Sequence, residues 1–328
     1  MDLQRREMLL GGVTAMALSG ATAPSFASAA TASLTGDASF KGPYVDLTTA
    51  DGNMITYARI VGDLELGKEH AGWYNGYVTG VRNDGPLKDL MGFAGFGMTR
   101  LLPHESGTGY RKVLREVGIY YDLKSLEPLE EYLNPYTQER VKVIHVANDP
   151  FNQVIQNYFE TPPSYGGLNA SAPPPRIPFV LPWKKLGQYA TLERHIHLYY
   201  KNALQPDKWP RESGGKMTRV SEFFQYFIDI ADIQNKKVTS LPFHGTWSRV
   251  TPWLPWMLMD GGAGHCQYMT LQGGGQPLDE VIPRKVLDFI EKKFPLYLNA
   301  PDKWVEPSLS SIERYAQEQK PALPKVTP

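Results

Sequence analysis

One cysteine, Cys266, stands in 328 residues, so no disulfide can form within the chain. Net charge is missing as well: 34 Lys+Arg balance 34 Asp+Glu. Without basic runs there is no electrostatic footprint for nucleic acid or anionic lipid. Nowhere do about twenty apolar residues follow one another, which argues against an integral membrane protein. The chain also lacks a Gly-x-Ser-x-Gly elbow, a Gly-x-Gly-x-x-Gly turn opening a helix after a strand, and a phosphate loop. Those absences argue against a serine-hydrolase nucleophile and against nucleotide or dinucleotide binding. Nucleophilic use of Cys266 has little support beside an apolar packing role, and no organic cofactor is expected.

What the chain has begins with a leader. Arg5-Arg6-Glu7-Met8-Leu9-Leu10 is a twin-arginine pattern, an apolar run extends to Leu18, and Ala27-Ser28-Ala29 is a small-x-small cleavage triplet. In that order they indicate a signal peptide over 1–29, the twin-arginine export machinery as a partner, and a periplasmic or secreted protein. Residues 30–53, rich in Ser, Thr, Gly and Asp, read as a flexible lead-in. One β-rich domain is expected over 54–320, then a loose tail, 321–328.

Prolines, glycines and aromatics are plentiful: 27 Pro, 30 Gly and 12% Phe, Trp and Tyr, a composition of short elements and tight turns. Strands are expected at Met54–Ile60, Trp73–Val81, Met91–Leu101, Tyr110–Tyr121, Arg140–Ala147, Tyr189–Tyr200 and His265–Leu271. Lys216–Ile230 is ambiguous, since Val220, Phe223, Phe224, Phe227 and Ile228 also satisfy a helical stripe, and its β-rich surroundings favour a strand. Helices are expected at Leu278–Phe294 and Ser308–Gln319. The fold class is mainly β: an antiparallel meander curled into a barrel-like sheet with C-terminal helices, able to enclose a ligand. Seven prolines in 160–187 mark a long irregular loop, a candidate lid at a cavity mouth.

Two stretches concentrate chemistry. In Leu241–Asp260, LPFHGTWSRVTPWLPWMLMD, three of the seven tryptophans (Trp247, Trp253, Trp256) accompany His244 and Arg249, and Pro252 and Pro255 forbid one continuous helix. Rigid rings beside a few polar groups suit a ligand pocket, although a Trp-packed structural corner has the same composition. In Tyr189–Tyr200, YATLERHIHLYY, strand alternation puts Glu193, His195, His197 and Tyr199 on one face and Arg194 and Ile196 on the other. His195 and His197 are candidate ligands for a divalent metal if His145, His244 or His265 completes the set. Without metal, His195, His197 or His145 are candidate acid–base groups, with Glu193 or Asp149 orienting them and Arg249 or Arg194 holding an anion.

The strands around GFGMTRLL, the segment NPYTQERVKVIHVANDP at 134–150 and above all HGTWSRVTPWLPWMLMD at 244–260 resemble the DUF1838 family of bacterial proteins. The resemblance covers most of the chain after the leader and implies one domain and no particular activity. Gly-x-Trp with a nearby Arg at 245–249 is also similar, over a few residues, to lipocalins.

The residues point first to an exported enzyme acting on a hydrophobic, aromatic small molecule by histidine acid–base chemistry, as a lyase or hydrolase. Its catalytic set would be His195, His197, His145, Glu193 and Arg249. Trp247, Trp253, Trp256, His244 and Tyr199 would form the ligand wall. The alternatives are a periplasmic small-molecule binding protein with a lipocalin-like cavity, and an envelope structural protein whose interior is filled by side chains.

Overall fold

A computed structural model describes residues 40–160, 176–305 and 309–323. The twin-arginine pair, the cleavage triplet, prolines 173–175 and the end of the tail lie outside the described residues.

The first element is a helix, α1 (Ala50–Val61), where a strand was expected over Met54–Ile60. Ile55, Thr56, Tyr57 and Ile60 have strand-forming side chains, yet the start is capped: Thr49 Oγ1 accepts from the Gly52 N–H at 3.0 Å, and Asp51 lies in the first turn. Burial runs without alternation through Thr56, Tyr57, Ala58, Arg59 and Ile60, as in a helix enclosed on most sides. Tertiary burial here overrides propensity. Asn53 ties the helix down: its amide donates to Leu47 O and Thr49 O, both at 2.7 Å. Its carbonyl accepts from the Leu181 N–H at 3.0 Å and from Trp183 Nε1 at 2.7 Å. Just upstream, Phe40, Val45 and Leu47 are buried, so the described part of residues 30–53 is packed.

The strands β1 (Glu69–Val81), β2 (Lys88–Pro103) and β3 (Tyr110–Tyr121) form a meander. A small hairpin follows, β4 (Glu131–Leu133) with β5 (Arg140–Lys142), and β6 (Val146–Asn148) and β7 (Gln153–Ile155) return to pair with β3. The expected strand over Arg140–Ala147 is therefore broken between Lys142 and Val146. Next come β8 (Tyr158–Glu160) paired with β9 (Arg176–Pro178), then β10 (Trp183–Leu186), β11 (Tyr189–Lys201), β12 (Met217–Asp229), helix α2 (Ile230–Gln234), β13 (Phe243–Thr251) and β14 (His265–Gly274). The helices α3 (Leu278–Val281) and α4 (Arg284–Lys293) are separated at Pro283, which cannot continue the first of them. Finally α5 (Ser311–Glu318) opens on a capping box between Ser310 and Glu313.

Ten strands make one antiparallel sheet in the order β10-β11-β12-β13-β14-β1-β2-β3-β6, with β7 also on β3. Among the described residues no ladder joins β10 to β6 or β7, so no closed barrel forms. Register assigns the faces. Tyr74 lies opposite Gly95, which lies opposite Gly118, and a Cβ at Gly118 would sit 2.6 Å from the Tyr74 hydroxyl. These glycines leave room for the Tyr74 ring on that face. On the other face, Phe96, Val117 and Ile119 pack under α4 through Val286, Leu287 and Ile290.

Candidate functional site

The face opposite α4 lines a cavity of about 800 Å³. Alternation decides what enters it. From β3 come Lys112, Leu114, Glu116 and Tyr120; from β11 Arg194, Ile196, Leu198 and Tyr200; from β12 Glu222, Phe224 and Tyr226; from β13 Trp247 and Arg249; from β14 Tyr268 and Gln272. Besides the strands, Tyr57 reaches in from α1, and α5 contributes residues from Ser311 to Tyr315.

The walls are aromatic. Phe93 meets Tyr74, Tyr120 and Tyr268 at ring-centroid distances of 5.2, 4.9 and 5.1 Å, and Trp247 lies 5.7 Å from Tyr268. The Tyr120 and Tyr268 hydroxyls are 2.8 Å apart. Burial pushes both phenols above the ordinary tyrosine range, so each stays a neutral donor and acceptor.

Charged groups line the cavity as well. Glu116 Oε2 accepts from Asn148 Nδ2 at 2.7 Å. Burial raises the Glu116 pKa; the Asn148 hydrogen bond opposes this, the Glu222 charge adds to it, and Arg249 and Lys112 oppose it. Arg249 Nη1 lies 3.7 Å from Glu222 Oε1, a loose pair, and neither Arg249 Nε nor Trp247 Nε1 has a hydrogen-bond partner among the described residues. Arg194 Nη1 donates to the Tyr57 hydroxyl at 2.6 Å, with its guanidinium over that ring at 4.8 Å. Burial lowers the Lys112 pKa to about 8, against the Glu116 charge.

The sequence-derived candidates divide between the two faces. Arg249, Trp247, Trp253, Trp256 and His145 line the cavity. His195, His197, Glu193, Tyr199 and His244 do not. Arg194, Ile196 and Leu198 point inward, which by alternation turns the odd-numbered residues of β11 outward. His195 packs edge-on against Phe223 at 5.2 Å. The His197 Nδ1 lies 3.0 Å from Ser221 Oγ. Glu193 meets Lys184 at 3.4 Å on the surface, while Tyr199 and His244 are exposed. His145, His195, His197 and His244 are thus not brought together. Among the described residues no group of three His, Cys, Asp or Glu side chains is arranged to hold a metal ion.

His145 occupies the break before β6. Its Nδ1 accepts from the Tyr120 N–H at 3.1 Å, which leaves the proton on Nε2. Burial lowers its pKa to about 4, so the ring is neutral at neutral pH. Cys266 is buried and burial raises its thiol to about 12, the profile of an inert packing residue. The groups that sequence reasoning passed over are Glu116, Glu222, Lys112 and the Tyr120–Tyr268 pair. Little in Tyr110–Tyr121 singled them out: Lys112 and Glu116 share a strand face with Leu114 and Tyr120, but Arg111 and Arg115 put charges beside Val113, Val117 and Ile119 on the other face as well.

The fold and site define a β-rich protein with an aromatic-walled cavity that is also lined by charged groups. The chain belongs to the DUF1838 family, described as proteins of unknown function, whose family model matches residues 67–319. The matched region holds the whole ten-stranded sheet and excludes α1. Among curated proteins none matches the chain. No helix of the described residues is long and apolar enough to cross a membrane.

Proposed function

We propose that the chain is an exported enzyme that takes a hydrophobic, aromatic small molecule into this cavity and acts on it by acid–base chemistry, as a lyase or hydrolase. The sheet would curl as an open barrel around the ligand, and the β-rich region would be one domain. Glu116 takes the role that the sequence suggested for histidine. The observation that carries this reading is a carboxyl beside aromatic walls, its pKa raised above the ordinary carboxylate value by burial, which favours the protonated form a general acid needs. Arg249 and Trp247, each with an N–H that has no partner among the described residues, would bind an acceptor oxygen of the ligand; buried donors normally have partners. His145, neutral and committed to Tyr120, would orient rather than transfer protons.

The test uses purified protein with a panel of aryl esters and β-hydroxy aryl ketones, followed by chromatography and by quenching of tryptophan fluorescence. Glu116→Gln is expected to keep saturable quenching and to lose at least about a hundredfold in turnover. Unchanged turnover in that variant would remove Glu116 from the chemistry. Quenching with every compound recovered intact would instead favour a carrier, the alternative reading. A second readout is stability. The wild-type contribution of a carboxyl with a raised folded pKa is fully present below the unfolded value of about 4.5 and is lost as pH rises through the folded value. Glu116→Gln lacks that slope, so it gains on wild type as pH increases across the same window.

The twin-arginine pair Arg5 and Arg6 supports a periplasmic or secreted location. With both replaced by Lys, fractionation of the producing bacterium should find the chain in the cytoplasm. Undiminished export of that variant would exclude the twin-arginine route.

A further inference from the structure

Lys112 lies on β3 opposite Leu101 of β2 and Gln153 of β7, and it lines the cavity. It is 8% exposed and is the one buried lysine among the described residues. No hydrogen bond or ion pair to another described residue engages its amine, and longer-range interactions couple it to Glu116, Arg194 and His70. Its neighbours at this end are apolar or neutral. Leu101 is fully buried. His70, whose Nδ1 lies 2.9 Å from Ser240 Oγ, is held neutral by a pKa lowered to about 4 by burial. A lone buried ammonium without a carboxylate contact is costly, and an apolar residue would serve the sheet better. The fold therefore gives no reason for an amine here.

We infer that Lys112 is an amine nucleophile that forms an imine with an aldehyde or ketone held in the cavity. This rests on the reading that the cavity admits a hydrophobic small molecule, and it narrows that molecule to a carbonyl compound. The neutral nitrogen adds to the carbonyl carbon, and the C=O π pair moves to oxygen, which receives one of the two nitrogen protons. The hydroxyl then leaves as water with the second proton, so amine and carbonyl give imine and water with no oxidant or reductant. Burial supplies the nucleophile: at a pKa of about 8, roughly a hundredfold more of Lys112 is neutral near pH 8 than of a solvent-exposed lysine. Glu116, four residues along on the same face, would stabilise the protonated imine; Arg194 opposes it, and neutral His70 adds no charge.

The test is reductive trapping on the full chain with naphthaldehyde and cyanoborohydride, read by intact mass and peptide mapping. Tryptophan quenching by naphthaldehyde alone is measured in parallel. Lys112 is expected to be labelled at least roughly tenfold faster than the average lysine, with a pH midpoint near 8. Lys112→Met and Lys112→Arg should both lose that adduct while keeping the quenching. Saturable quenching with labelling spread evenly over the lysines would overturn the imine and leave the cavity reading intact. Loss of both quenching and selective labelling would overturn the cavity reading together with the imine. If Lys112→Met fails to fold, Lys112→Arg and the wild-type pH profile still decide.

Discussion

Replacing Arg59 by Met is expected to cost about 3–5 kcal/mol of stability, as breaking a buried charged hydrogen-bond set does. Arg59 is 0% exposed. Its guanidinium donates to Val238 O, Ile233 O and Asp232 O, each at 2.7 Å, and to Asn235 O at 3.1 Å. One side chain thereby closes the turn after α2 against α1, and the Tyr44 ring sits 5.3 Å from the cation. Met fills similar volume but donates nothing, which leaves four carbonyls without their partner. Lys would place one charge without the planar fork, so Arg59→Lys should fall between wild type and Met. Urea denaturation followed by fluorescence checks this through the midpoint. A shift equivalent to less than about 1 kcal/mol would mean that water replaces the guanidinium and that α1 is not pinned as described. Set against the 5–15 kcal/mol typical of a whole domain, the expected loss is a large fraction.

That same helix shows where a sequence stops being legible. Met54–Ile60 carries strand-type side chains, and nothing local announces that Asn53 and Arg59 will each find buried partners from residues more than a hundred positions away. The strands told more. Tyr110–Tyr121 was readable to its ends, and the ambiguous Lys216–Ile230 resolved as Met217–Asp229, because β-branched and aromatic runs between turns carry a period of their own. Which face of a strand looks inward is a harder question. In β11 both faces bear rings and charges, so the pattern allowed either Arg194 or His195 to enter the cavity. Only the register with β12, where Glu222 and Phe224 also point inward, decides for Arg194. The Trp-rich segment was legible as a cavity wall but not in its division: Trp247 and Arg249 belong to β13, whereas Trp253 and Trp256 belong to the turn that packs against β5 beside Val141. Glu116 was hidden for the opposite reason, since one carboxylate among twelve strand residues carries no motif.

Replacing Gly72 by Phe is expected to abolish ligand binding while leaving the fold intact. Gly72 lines the cavity, and it stands between Gly274 of β14 and Gly97 of β2. The three are not equivalent. A Cβ at Gly97 would come within 2.7 Å of Leu114 Cδ1, and one at Gly274 within 2.8 Å of Phe243, so both are close approaches that any side chain would disturb. A Cβ at Gly72 meets nothing within 4 Å, and Gly72 is not among the glycines with positive φ. The sheet therefore accepts a side chain there, and the chain loses some unfolded-state freedom in exchange. A phenyl ring at that point occupies the space a ligand would need, at the centre of the row leading from β2 to β14. Thermal unfolding should change by no more than about 1 kcal/mol, in either direction. Binding of anilinonaphthalene sulfonate or of any compound that quenches wild-type tryptophan should weaken at least about a hundredfold, since the added ring and the ligand cannot share one volume. Gly72→Ala should lie close to wild type, separating filled volume from altered backbone. Wild-type affinity in Gly72→Phe, with folding unchanged, would show that the ligand sits elsewhere and would take the cavity, and the roles given to Glu116 and Lys112, with it.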